Sequence, residues 1–395
     1  MAKLTRRQAI TGAIAATPLI VKPQTAFTAQ ANSKVAFGIV GTGGRGRYVG
    51  TFMANDKHGR LAAICDKYAD RIDQAKTELP GGDKVPAYRD HRELLNDKNV
   101  DAVLIASPVY LHPEHFVAAV QANKHIYCEK PAGADVASIR KLLEAGLKAD
   151  PKKSIQFGYQ QRFSREYLKA MDHLKKGTIG DMKMMMSYWI LGGSPPTSFT
   201  NRYTEDEKIR NWGRWMEYSG GPIVEQDCHG IDTLNWFAND QHPTHALGTG
   251  GNRYPVPYGD WTTDHHNVQY FYPGGLEGWL ISIKHTAMYR DVREQFFGSK
   301  GVLETTRVYY KLHGPQPNSN YPNADDLRDR SLMEYQESPR EITIDAVEAF
   351  FEGIVNNKPI NMTRTSAEST LTAILGRMAI EKKREVTWDE MMRSA

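Results

Sequence analysis

Between Ile223 and Phe237 the chain sets Glu225, His229 and Asp232 four and three residues apart, with Trp236 four further on. On a helix this spacing lines them along one face, beside an apolar stripe of Val224, Cys228, Ile231 and Ala238. A carboxylate, an imidazole and a second carboxylate in a row suit removal of a hydroxyl proton near neutral pH. Oxidation of a carbinol needs such a group: the C–H electrons leave as hydride and the O–H proton must go to a base. Two other readings use the same side chains. The histidine could be bonded to a carboxylate for stability alone. The three could also ligate zinc, but no H-E-x-x-H pattern accompanies them, and no metal is expected.

A hydride needs an acceptor, and the N-terminal part offers a place for one. Residues 34–40 form an apolar run suited to a buried parallel strand. Gly41-Thr42-Gly43-Gly44-Arg45-Gly46 follows and fits G-x-G-x-x-G, with a helical stretch after it. In that setting Gly41 permits the tight turn, Gly43 lets the backbone approach a pyrophosphate, and Gly46 lets helix and strand pack closely, with Gly44 and Arg45 of the same turn also candidate cofactor contacts. The new helix N-terminus turns unpaired N–H groups toward the phosphates. Asp66 closes the next strand, where a carboxylate accepts from adenosine ribose hydroxyls and repels a 2′-phosphate. NAD is therefore expected, and NADP less so, although Lys67 and Arg71 lie close by. Strand and helix patterns alternate to residue 157, which predicts a doubly wound sheet with ligands beyond the C-terminal strand ends. Ser107-Pro108 with His112, and Glu129-Lys130-Pro131, occupy those ends.

Beyond residue 156 the pattern changes. Lys183–Trp189, Asn267–Tyr272, Gly278–Lys284 and Val302–Tyr309 read as strands of a larger, mainly antiparallel sheet, and two helices close the chain. The expected fold is α/β: a Rossmann doubly wound parallel sheet over residues 32–155, then an α+β substrate-binding and catalytic domain over 156–395. Long loops at 190–222 and 248–266 fit a binding role. Tyr159, Arg162 and His265 are candidate substrate contacts, each with a plain structural alternative.

Taken together, these residues resemble the Gfo/Idh/MocA family, which contains glucose–fructose oxidoreductase and inositol dehydrogenase. The Gly41–Gly46 turn, Ser107-Pro108 with His112, Glu129-Lys130-Pro131, Arg162-Phe163 after Gly158-Tyr159, and Glu225 to Asp232 carry the resemblance. It implies that Lys130 and His229 serve the reacting hydroxyl, with Glu225 standing where the family more often has Asp. Arg210-Asn211-Trp212 resembles members acting on glycosides and marks Asn211 and Trp212 as substrate contacts. The implied activity is hydride transfer between a sugar, glycoside or cyclitol hydroxyl and tightly bound NAD. An alternative uses the extra acid/base groups Glu225, Asp232 and Tyr159: transient oxidation to a 3-keto glycoside, elimination, and cleavage of the glycosidic bond. By analogy the protein is a homodimer or homotetramer.

Composition narrows the partners. The net charge of +4 comes entirely from Lys3, Arg6, Arg7 and Lys22, so residues 32–395 are formally neutral and nucleic acid is not expected. Cys65, Cys128 and Cys228 form no C-x-x-C pair and read as buried thiols. Thr5-Arg6-Arg7-Gln8, a short apolar run from Ala9 to Val21, and Ala29-Gln30-Ala31 resemble a twin-arginine signal over residues 1–31. That predicts export to the periplasm without a stable membrane anchor; the alternative is a basic N-terminus on a cytoplasmic enzyme.

Overall fold

Val35–Val40 is buried at every position, as a central parallel strand covered on both faces must be. In the computed structural model, which describes residues 34–192, 203–253, 259–314, 331–338 and 340–394, it is β1. There follow α1 (Gly44–Asn55), β2 (Gly59–Cys65), α2 (Ala69–Glu78), β3 (Ala87–Tyr88), α3 (His91–Asn96), β4 (Ala102–Ile105), α4 (His112–Gln121), β5 (His125–Cys128), α5 (Val136–Leu147) and β6 (Ile155–Phe157). The strands form one parallel sheet in the order β3-β2-β1-β4-β5-β6. The order reverses between β1 and β4, and the crevice at such a switch point is where a dinucleotide lies. β6 carries this sheet to Phe157, two residues past the expected boundary.

The chain continues through α6 (Arg165–Lys175), β7 (Met182–Ile190), α7 (Glu205–Arg210), α8 (Met216–Ser219) and α9 (Cys228–Phe237). Then come β8 (His245–Gly251), β9 (His265–Phe271), β10 (Glu277–Ile283), β11 (Asp291–Gly298), β12 (Val302–Thr305), β13 (Tyr309–His313) and β14 (Leu332–Glu337). It closes with α10 (Ile342–Val355), α11 (Thr363–Lys382), β15 (Val386–Thr387) and α12 (Trp388–Arg393). Among the described residues the second sheet has nine strands, ordered β14-β13-β12-β11-β7-β10-β9-β8-β15. Its neighbours are antiparallel except β7 and β10. β7 buries Met185, Ser187 and Trp189, every second residue, so one face of the sheet turns inward. The expected strand Val302–Tyr309 is two strands, because Thr306, Arg307 and Val308 make a tight connection in which Thr306 bonds the N–H groups of Val308 and Tyr309.

Two helices tie the halves together. α10 lies in the stretch assigned to the second domain, yet its Val347, Phe350 and Phe351 pack with Phe37, Met53 and Leu61 of the first. α11 lies against α5, α9 and β8 and carries a buried row of hydroxyls. Thr370 Oγ accepts from the Ala132 N–H at 2.9 Å, and Ser369 Oγ donates to Asp232 at 2.7 Å, so one helix fixes residues from both domains. The twin-arginine and cleavage patterns of residues 1–31 lie outside the described residues. No described helix is long and apolar enough to cross a membrane.

Candidate active site

The glycine turn has the shape its spacing requires. Gly41 sits at φ +92°, and a Cβ there would lie 2.5 Å from the Ser107 nitrogen. A Cβ on Gly46 would lie 1.9 Å from the Gly41 carbonyl oxygen, so α1 can start this close to β1 only without a side chain. Gly43 and Gly44 face open space, and no side chain caps α1. This leaves a cradle that a dinucleotide pyrophosphate fits, with unpaired N–H groups at its floor. Beside it runs a cleft of about 310 Å³ lined by Gly41, Asp66, Ser107, Pro108, Tyr110 and Ile209. Asp66 accepts from the Thr42 N–H at 2.8 Å and the Tyr68 N–H at 3.0 Å, so it fastens the turn while bordering the cleft.

Other candidate cofactor residues act on the loops. The His112 ring is buried between the carbonyl oxygens of Pro131, 2.7 Å from Nδ1, and Ser107, 2.8 Å from Nε2. It joins the loop after β4 to the loop after β5 and lies behind the cleft surface. Burial holds this ring below the usual histidine range, so one of the two contacts at a time carries the proton. Ser107 Oγ meets His115 Nδ1 at 2.9 Å. Arg45 reaches back to the buried Glu129 carboxylate at 3.1 Å, and Gly158 leaves the room that carboxylate fills.

Lys130, at the end of β5, donates to the backbone carbonyl of Glu225 and lies 3.4 Å from its carboxylate. Burial by itself would lower the Lys130 pKa, but the charge of Glu225 together with those of Cys228 and Glu129 outweighs it, and the amine stays an ammonium. The expected single helix from Ile223 is not what forms. Ile223–Asp227 is a π-helical turn, and the α-helix begins at Cys228. The extra residue per turn takes Glu225 off the 3.6-residue row and turns it toward Lys130. Asp227, next in this turn, is fully buried between Lys284 Nζ at 2.7 Å and His266 Nε2 at 2.6 Å. The sequence reading missed this pair of anchors. Glu225 lines a groove with Trp212, Gln226, Trp261, Lys284 and His285.

His229 is buried and turned into the site. Its Nδ1–H donates to Gln161 Oε1 at 3.1 Å. Its ring lies face to face with Trp189, centroids 5.6 Å and planes 9° apart, and edge-on to Tyr159. Burial first, then the charges of Lys130, Arg307 and Arg45, hold it well below the usual histidine range, so it is neutral. Among the described residues no group bonds Nε2, which leaves one unprotonated nitrogen able to accept a proton.

Asp232 does not extend this row. Arg162 grips both its oxygens at 2.8 and 2.9 Å, and Ser369 adds a third bond. Arg162 turns its remaining nitrogen to Asp240 at 2.8 Å and stacks over Trp236, so each of its three nitrogens is held by a carboxylate. Tyr159 is fully buried with its hydroxyl against Thr370, which makes it a wall for His229. Asn211 bonds the Glu207 carbonyl at the end of α7. His265 is tied to Asp264 at 2.6 Å and lies outside the Glu225 groove, where Lys284 and His285 stand instead. Asp232, Arg162 and Tyr159 are held by partners from remote segments that the sequence does not show, whereas Asn211 and His265 are held by near neighbours, Glu207 and Asp264.

A strap crosses the outer end of the cofactor cleft. A Thr204–Glu207 capping box starts α7. Arg210 from this helix pairs with Asp70 at 2.9 and 3.1 Å and lies 3.8 Å over the Tyr68 ring, whose hydroxyl donates to Asp206 at 2.8 Å. Among the described residues no group of three or more His, Cys, Asp or Glu is placed to hold a metal ion.

Residues 35–156 match the oxidoreductase family with an NAD-binding Rossmann fold, Gfo/Idh/MocA, and residues 172–388 match its C-terminal alpha/beta domain. The chain belongs to the Gfo/Idh/MocA oxidoreductase family. Its first domain is an NAD-binding domain, and the protein is an NAD-dependent oxidoreductase related to inositol and sugar dehydrogenases. Myo-inositol 2-dehydrogenase of Thermotoga maritima is 26% identical over 341 residues, 84% of this chain and 92% of that protein. Scyllo-inositol dehydrogenase from Lactobacillus casei, solved with NAD(H) and scyllo-inositol, superposes with a TM-score of 0.71 at 22% identity, over 90% of this chain and 100% of that one. Levoglucosan dehydrogenase, solved with NADH and L-sorbose, gives 0.74 at 15% identity, over 92% and 100%. At these identities the two structures speak for the fold alone.

Proposed function

We propose that the protein oxidises a ring hydroxyl of a cyclitol, sugar or glycoside with NAD, Lys130 and His229 serving the reacting oxygen. The observation that carries this reading is a neutral, buried imidazole, fixed through Nδ1 by Gln161, beside a lysine held as ammonium. When bound, the nicotinamide supplies the hydride acceptor. The Gly41–Gly46 turn, Asp66 and the loops joined by His112 hold the dinucleotide. Lys130 donates to the substrate oxygen and steadies its developing negative charge. His229 Nε2 takes the O–H proton, and Gln161 keeps the ring in the tautomer this needs. Trp189 and Tyr159 exclude water from the ring.

The relatives named as inositol dehydrogenases and the levoglucosan dehydrogenase likeness support a polyhydroxylated ring as substrate. Export by the twin-arginine route and a dimeric or tetrameric state are parts of this proposal that rest on the sequence and on analogy. Mass spectrometry of the purified protein should find bound NAD. Added to a panel of cyclitols and sugars, the enzyme should give NADH and a stable ketone. Aryl glycosides that release aglycone without net NADH would instead support the bond-cleaving alternative.

A further inference from the structure

Arg307, in the tight connection between β12 and β13, is out of keeping with its surroundings. It is partly buried, its Nε is fully covered, and among the described residues it has no hydrogen bond or ion pair. A covered guanidinium N–H without a partner is costly, and folded proteins seldom keep one without use. Two carboxylates bear on it by their charge, but neither bonds it. Glu294 accepts through Oε2 from the Tyr167 hydroxyl at 2.7 Å and Thr305 Oγ at 3.2 Å, its Oε1 is left unbonded, and burial lifts its carboxyl to about 7, which weakens it as a counter-ion. Glu341 caps α10 through the Thr343 N–H and hydroxyl.

Its place is at the candidate site. The guanidinium carbon lies 5.6 Å from the centre of the Trp189 ring, the same ring that lies against His229. Of the three cations that bear on His229, Lys130 pairs with Glu225 and Arg45 with Glu129; among the described residues Arg307 forms no ion pair. The site therefore holds one cation without a direct partner among the described residues, and it is the group whose planar fork best matches a carboxylate.

We infer that Arg307 is a specificity-determining residue that receives a carboxylate of the substrate, so that the preferred substrates are carbohydrate acids. This rests on the dehydrogenase reading and narrows it. A single unpaired cation balances one carboxylate, whereas a phosphate monoester carries about −1.5 to −2 charges near pH 7.

The test uses the full-length, NAD-loaded protein with D-glucuronate, D-galacturonate and D-gluconate. The two hexuronate methyl esters, the matching neutral sugars and glucose 6-phosphate serve as controls. Calorimetry reads binding without turnover, and NADH formation reads kcat and KM. At least one hexuronate should be preferred over its own ester by about 10- to 100-fold, mainly through KM. Arg307→Gln should remove that ratio, and Arg307→Lys should restore part of it. Equal handling of each acid and its ester, failure of all three acids to bind, preference for glucose 6-phosphate, or a ratio that survives in Arg307→Gln would each overturn the assignment. Weakened NAD binding in Arg307→Gln, with the acid–ester ratio intact, would give the guanidinium to the cofactor and also overturn it. If the acids bind in an Arg307-dependent way but no compound on the panel yields NADH, the dehydrogenase reading falls and the carboxylate site stands.

Discussion

The ammonium of Lys130, from the end of a parallel strand in the first domain, bonds the main-chain carbonyl of Glu225 in the π-helical turn that leads into the helix of His229. The contact spans 95 residues and joins a charge donor to the segment that presents the base. Replacing Lys130 by alanine should lower kcat by about 10²–10⁴-fold, the range expected for losing an electrostatic or proton-handling group. NAD should stay bound. Mass spectrometry of the variant checks retention, and turnover near the wild-type rate would remove Lys130 from the chemistry.

The state of His229 fixes a pH dependence. As a base it must be unprotonated, and its pKa is pushed well below the usual histidine value. On lowering the pH, kcat/KM should therefore hold through the ordinary histidine range, about 6.5, and fall only in more acidic solution. Removing a nearby cation favours the imidazolium, so Arg307→Gln should move that acid limb to higher pH. A limb that stays in place in this variant would show that another group controls it.

Asp232 and Arg162 are expected to matter for stability. Both side chains are largely buried, so Asp232→Asn leaves a guanidinium without its main counter-charge. The loss should be about 3–5 kcal/mol, read as a lower midpoint in urea unfolding. Folded Asp232→Asn protein that binds NAD and is stable, yet inactive, would restore Asp232 to the catalytic set.

Arg210 should govern how long the cofactor stays. Its bidentate pair with Asp70 and its stacking over Tyr68 hold α7 across the cleft rim, where Ile209 lines the same cleft as Asp66. Arg210→Ala should speed NAD release by about three- to tenfold in stopped-flow displacement. Because this pair is exposed, added salt should speed release from the wild type and do little to the variant.

Much of this architecture was legible in the residues. The first sheet followed from apolar runs alternating with helical stretches, and the Gly41–Gly46 turn showed its purpose because each glycine answers a local steric demand. Lys130 and His229 could be named from their motifs. Relations set by tertiary contacts could not. A period of 3.6 put Glu225, His229 and Asp232 in one row, and nothing local announces the extra residue at Ile223–Asp227, whose anchors Lys284 and His266 lie far along the chain. Arg162 looked free to meet a sugar because Asp232 and Asp240 reach it only in the folded chain. Arg307 gave no signal, since its connection read as the middle of a strand.

The aromatic pair Phe350–Phe351 has a bearing on biogenesis. These rings cover one side of the first sheet, yet they are made after almost nine-tenths of the polypeptide. The nucleotide-binding half cannot complete its interior while its own residues leave the ribosome, and must wait with Phe37 and Leu61 uncovered. Synthesis of this protein thus favours late, whole-chain closure over lobe-by-lobe assembly, and a fragment ending near residue 157 should emerge sticky and need a chaperone.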